Sequence, residues 1–187
     1  SSFNEWDRVK ERLGASFGEA RINDYYNDAT YIASLNERID AALKRFSSPE
    51  GVYILFSAHG TPIDLVKRGD PYSKQIEDTM KLVMAARTDG HEYSLSYQSK
   101  VGPKKWLEPS TDDTVEELAE RGIKKLLVVP ISFVSDHIET VYEIGIETKE
   151  EALKEGIEEF ELCEGLKTSP LFIKTLTDLA TKALSSM

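Results

Sequence analysis

The sequence predicts an α/β fold: a three-layer α/β/α arrangement with helices on both faces of a parallel four-stranded sheet. Three observations carry the prediction. First, VYILFSAH (52–59), EYSLSYQS (92–99) and KKLLVVPISF (124–133) are short runs, rich in β-branched and aromatic residues and nearly continuous in apolar character. Strands covered on both faces of a parallel sheet read this way. FELC (160–163) is a weaker fourth. Second, segments of helical periodicity lie between these runs, and alternating strands and helices imply right-handed βαβ units. Third, no internal repeat or low-complexity stretch interrupts the pattern.

Each helix has its own signals. Residues 28–46 place Ile32, Leu35, Ile39 and Leu43 at helical spacing. After GDPY, Ile76, Met80, Val83 and Met84 repeat the pattern, with Asp70 as N-cap and Pro71 at the first helical position, where its missing amide hydrogen costs nothing. Ser110 and Asp113 form a capping box ahead of Val115 and Leu118, and Gly122 closes that helix. Residues 169–186 make a final amphipathic helix. The first 50 residues differ. SSFNEWDRVKERL is helical with no strand ahead of it, and INDYYND (22–28) is polar and aromatic, as a connection between lobes would be. The expected organisation is a connecting segment and helix over 1–50 and one lobe over 51–187, with the chain a truncated piece.

Composition narrows the function. The 187 residues are 40% hydrophobic and 30% charged, enough for a real core. No run of about 18 apolar residues is present to span a membrane, and no secretory leader is visible. The single cysteine, Cys163, excludes an internal disulfide, a four-cysteine zinc site and a self-contained iron–sulfur cluster. It is expected to be a small buried hydrophobe, and a reducing compartment such as the cytoplasm fits. The net charge is −10, from 33 acidic and 23 basic residues, and Lys104–Lys105 and Lys124–Lys125 are isolated pairs. Nucleic acid is therefore not an expected partner. The excess acid is either a solvated surface or an arrangement for handling a cation.

In open α/β sheets, ligands sit at the carboxyl ends of the strands. SAHGTP releases His59 there, followed by a sharp turn at Gly60, Thr61 and Pro62. An imidazole in that position is either a proton acceptor or metal ligand, or a structural group bonding the turn. PISFVSDHIETVYEIGIE ends a strand near Phe133 and begins a helix at Ser135 or Asp136. At about 100° per residue, Asp136, Glu139, Glu143 and Glu147 fall within roughly an 80° arc. Carboxylates so spaced repel one another unless a cation visits; the alternative is a solvated acidic face. His137 points about 100° away from Asp136, toward packing or support. The shaped loop YQSKVGPKKWLEP (97–109) holds Trp106, either as an edge plug or as a flat wall for a planar ligand. A mixed imidazole–carboxylate environment without thiolate suits ferrous iron and would bind it loosely enough to release it.

The strings SAHGTP, GDPY, YQSKVGP with a following WL and P, VPISFVSDHIET and TSPLFI occur in the order seen in ferrochelatases, and the chain resembles that family from residue 57 to about 174. SSFN at the start is similar to the segment after the amino-terminal lobe in bacterial members. The resemblance implies a Rossmann-like lobe, one of two with a porphyrin in the cleft between them, and insertion of ferrous iron into protoporphyrin IX or coproporphyrin III. It implies that His59 and Glu139 match the essential histidine and glutamate, as catalytic and metal-handling residues. Asp136, Glu143 and Glu147 would match or neighbour an acidic path, and Trp106 an aromatic near the porphyrin. Iron would be substrate, with no permanently bound cofactor. The partners would be porphyrin, ferrous iron and the absent amino-terminal lobe, with membrane contact at most peripheral. There are departures: Gly145 stands where many members carry aspartate, so one link of the acidic path is expected to be missing; the cysteine-bearing tail of iron–sulfur members is absent; and so is the amino-terminal lobe. The competing readings are a related cobalt or sirohydrochlorin chelatase and a non-catalytic metal- or tetrapyrrole-binding module. A dinucleotide-binding domain is set aside, since no G-x-G-x-x-G follows a strand.

Overall fold

In a computed structural model of the chain, which describes residues 2–98 and 102–185, the first strand, β1 (Val52–His59), spans the whole VYILFSAH run. It lies between β2 (Tyr93–Gln98) and β3 (Lys125–Pro130), and β4 (Glu159–Leu162) completes the sheet in the order β2-β1-β3-β4. All three pairings are parallel, with His59 opposite Gln98 and Ser57 opposite Pro130. The central position explains the unbroken apolar run, because each face of β1 meets a helical layer. Ile54, Phe56 and Ala58 share one core with Leu127, Val129, Ile39, Val83 and Phe172. Tyr53 and Leu55 face the other way, toward Val115, Leu118, Leu126, Ile144 and Ala152. Burying each of the valine, leucine, isoleucine and phenylalanine side chains contributes about 1.5–3 kcal/mol relative to exposure.

The helices are α1 (Ser2–Arg12), α2 (Ala29–Leu43), α3 (Ile63–Lys67), α4 (Tyr72–Ala85), α5 (Thr111–Glu120), α6 (Lys149–Lys154) and α7 (Pro170–Ser185), with a π-helix over Glu139–Thr148. Helix α2, expected within the connecting segment 1–50, buries Ile32, Leu35, Ile39 and Leu43 in the same core as the strands. Ser110 Oγ caps α5 by accepting from the Asp113 amide at 3.1 Å, and Gly122, at φ +85°, ends it. Asp70 accepts from the Tyr72 amide at 2.9 Å, although the capping position itself is Pro71, one residue later than expected. Strand β3 stops at Pro130 rather than Phe133, because the Phe133 amide turns back onto the Pro130 carbonyl. Ser99, Lys100 and Val101 of the expected strand and loop, and Ser186 of the expected last helix, lie outside the described residues.

Two close approaches shape the carboxyl edge of the sheet. A Cβ at Gly60 would sit 2.7 Å from the Gln98 carbonyl oxygen, to which the Gly60 amide donates at 2.8 Å. Only glycine fits there. At Gly165 a Cβ would come within 2.9 Å of Ser135 Cα, which lets the Gly165 amide donate to Asp136 at 2.7 Å. Asp136 also pairs with Lys167, whose own amide donates to the Val134 carbonyl at 2.8 Å. Residues 134–136 are thereby stitched to the segment between β4 and α7. Burial pushes the Asp136 carboxyl upward, but the Lys167 ammonium and the Gly165 amide outweigh it and hold it below the ordinary range.

Gly60→Ala should lower stability by about 1–3 kcal/mol through overpacking, read by denaturant unfolding; an unchanged midpoint would contradict the contact. Asp136→Asn should cost about 1 kcal/mol near neutral pH, since the ion pair is partly exposed. The folded-state value of Asp136 lies below its unfolded value. Its contribution is therefore whole above the unfolded value and disappears as the pH falls through about 4 and below. Unfolding curves of parent and variant should converge there, and a gap constant from pH 7 to pH 3 would rule the linkage out.

Candidate active site

His59 is the last residue of β1 and is held by its main chain. Its amide donates to Ser132 Oγ at 2.9 Å, and its carbonyl accepts from the Tyr72 hydroxyl at 2.9 Å. Burial raises the Tyr72 phenol above its usual value despite bonds to Ser132 and the His59 carbonyl, so it serves as a neutral donor. From the start of the π-helix, Glu139 reaches back to place Oε2 3.2 Å from His59 Nδ1. The two side chains are 43% and 34% exposed, open enough to meet an arriving ion.

The pair lies at the mouth of a cavity of about 790 Å³. Glu143 and Glu147 continue from Glu139 along its wall, and Asp112, Asp113 and Glu151 face it from α5 and α6. The acid groups in the first turn of α5 are favoured by the positive end of that helix. The ridge expected from the sequence thus holds for Glu139, Glu143 and Glu147, with three further carboxylates that its spacing did not reveal.

Asp136 does not join them. The chain is not helical at 131–137, and Asp136 turns to Gly165 and Lys167 instead. Gly145 is also off the ridge, since a Cβ there would meet Leu162 Cδ2 of β4 at 3.1 Å. The wall of the cavity loses no carboxylate at that position. His137 packs edge-on against Phe133, centroids 4.6 Å apart, and its Nδ1 accepts from the Glu139 amide at 3.3 Å. Phe133 also stands edge-on to His59, at 6.2 Å. Trp106 is half-buried beside the turn after β1: it bridges Pro62, and its ring carbon Cε3 would lie 3.6 Å from a Cβ on Gly60.

Sequence reasoning missed Phe133, Tyr72, Ser132 and Gln98 as parts of this site. Gln98 carried a usable signal, as a polar residue ending an apolar strand beside the strand of His59. The others act through contacts that spacing does not encode.

An ionised Glu139 can only accept, so a neutral His59 bonded to it carries its proton on Nδ1 and presents the Nε2 lone pair. A separation of 3.2 Å also suits two cis ligands each about 2.1 Å from one divalent cation. The arrangement can accept a proton or hold an ion.

Comparison with known proteins places the fold and the family. A solved structure described as a CbiX protein of cobalamin (vitamin B12) biosynthesis from Marinobacter aquaeolei VT8 superposes with a TM-score of 0.53 at 16% identity, covering 73% of this chain and 99% of that one. That likeness concerns the fold alone. Curated relatives named ferrochelatase include one from Geotalea uraniireducens, 47% identical over 100% of this chain and 58% of its own length. Another, from Gloeobacter violaceus, is 45% identical over 98% of this chain and 57% of its own. The chain thus spans somewhat more than half the length of these relatives. The family model for ferrochelatase matches residues 1–184, nearly the full chain, and the chain belongs to the ferrochelatase family.

Proposed function

We propose that this chain is the carboxy-terminal lobe of a ferrochelatase, a lyase that inserts ferrous iron into protoporphyrin IX or coproporphyrin III. Metal insertion exchanges two pyrrole N–H protons for one Fe²⁺. The chemistry needs a base beside the ring nitrogens and a route by which a hydrated cation sheds water. His59 is the base, with Nε2 as acceptor, and Glu139 orients it and draws the cation in. Glu143 and Glu147 form the acidic path behind them. Asp136, committed to Lys167, has no part in it. Trp106, beside the turn that carries His59, supplies a flat apolar wall for the macrocycle. The exposed Ile138, Val141 and Tyr142 offer further apolar surface on the segment that carries Glu139.

The single observation behind this reading is the 3.2 Å approach of His59 Nδ1 to Glu139 Oε2 at the carboxyl edge of a parallel sheet. Iron enters as substrate, with no resident cofactor and no iron–sulfur cluster. Burial pushes the Cys163 thiol up to about 12, which makes it a poor thiolate ligand. A cytoplasmic setting, with at most peripheral membrane contact, completes the proposal; no described helix is long and apolar enough to cross a membrane. The remaining part of the enzyme would clamp the porphyrin from the opposite side.

In the full-length enzyme, His59→Ala should lower kcat for iron insertion by about 10²–10⁴-fold. Glu139→Gln, which keeps shape but removes charge, should fall in the same range. The 187-residue chain alone should insert iron poorly. Parent-like turnover in His59→Ala would sink the assignment.

A further inference from the structure

We infer that Gln98 is the positioning residue that sets the distance between His59 and Glu139; the inference rests on the role proposed above for that pair. Gln98 ends β2 directly opposite His59 and is 7% exposed. Its carbonyl takes the Gly60 amide at 2.8 Å, which fixes the turn that follows His59. Its side chain reaches the other limb, where Nε2 donates to the Glu139 carbonyl at 3.4 Å. That is a long contact, and its effect is positional rather than strongly stabilising.

Counting protons fixes the orientation of the amide. Ser57 Oγ lies 2.7 Å from Gln98 Oε1 and 2.9 Å from Thr111 Oγ1, which in turn lies 3.0 Å from Ser96 Oγ. Each hydroxyl has one proton to give. If Ser57 donates to Gln98, then Thr111 donates to Ser57, and Ser96 shares its one proton between Thr111 Oγ1 and the Phe56 carbonyl at 3.4 Å. Reversing the amide would reverse the whole series and set Gln98 Oε1 against the Glu139 carbonyl, two acceptors with no proton between them. The Glu139 carbonyl therefore selects one direction, and the Ser57 hydroxyl, donating to Oε1, engages the other end of the amide. One residue thus ties, through its main-chain carbonyl, the turn bearing the imidazole and, through its side chain, the first residue of the helix bearing the carboxylate.

The test uses Gln98→Met, which keeps length and removes both polar atoms, and Ser57→Ala, which frees the amide to rotate. Amide hydrogen exchange over Glu139–Ile144 should quicken roughly fivefold to tenfold in Gln98→Met and less in Ser57→Ala, while β3 amides keep the parent rate. Cobalt(II), titrated alone as a probe, should bind roughly 10–100-fold more weakly with a shifted absorption spectrum. A purely structural role would lower the melting temperature and leave that spectrum unmoved. Parent-like exchange over Glu139–Ile144 in both variants overturns the inference. So does a parent-like cobalt spectrum in both, when His59→Ala abolishes cobalt binding. If His59→Ala binds cobalt as the parent does, the reading of the pair fails instead, and the exchange rates alone decide the role of Gln98. Should Gln98→Met not fold, Ser57→Ala carries both measurements.

Discussion

The contact between Gly60 and the Gln98 carbonyl lets the turn after β1 fold flat against the end of β2, and the site is built on that turn. A side chain at residue 60 would meet the Gln98 carbonyl oxygen at 2.7 Å, so β1 and β2 could not keep their register through His59. His59 would then leave the reach of the Ser132 and Tyr72 hydroxyls that hold its main chain. Glu139 is 80 residues further along, and its approach to His59 depends on both limbs being fixed. Preorganisation of this kind is what allows two partly exposed side chains to act at a defined separation.

The segment bearing Glu139 is a π-helix, a rare conformation concentrated at functional sites. Its consequence here is angular. In an α-helix, residues four apart overshoot a full turn by about 40°, so a series at that spacing drifts around the axis. The wider π turn, with i→i+5 bonds, brings a four-residue step to just short of one turn and reverses the drift. Glu139, Glu143 and Glu147 stay on the cavity side in either geometry, while Gly145 turns to Leu162. Gly145 is accordingly a packing position against β4. The proposed cation path along this wall would offer carboxylates about one turn apart, with Asp112, Asp113 and Glu151 also lining the cavity. Under that proposal, their mutual repulsion would favour a passing positive charge.

The strands were legible because burial on both faces leaves an unbroken apolar run, and β1 matched its run residue for residue. Caps were legible because Ser110 and Gly122 answer local backbone needs. The meeting of His59 and Glu139 could be anticipated from the rule that strand ends gather at one edge. The rest depended on long-range contacts. Periodicity placed α2 correctly but could not say that its apolar face joins the core of the sheet. Spacing likewise assumed an α-helix from Asp136 onward, and nothing in the local sequence reports that residues 164–167 compete for that carboxylate. Asp112 and Glu151 approach the cavity from elements that only tertiary packing brings there.

The SDHIET segment shows why a compact motif need not mean a single shared function. Three of its polar side chains, those of Asp136, His137 and Glu139, leave the chain in different directions, since residues 131–137 have no helical repeat to align them. Asp136 pulls one way, to Gly165 and Lys167. His137 packs on Phe133 and accepts the amide of Glu139. Glu139 alone turns to His59. Each of the first two contacts removes a freedom that would let the third wander: the Asp136 anchor fixes where the segment leaves β3, and His137 fixes the peptide from which the Glu139 side chain springs. Loss of Asp136 would therefore reach the His59–Glu139 pair through backbone position rather than through its own charge. An acid residue close in sequence to Glu139 can thus shape the candidate site while standing apart from it.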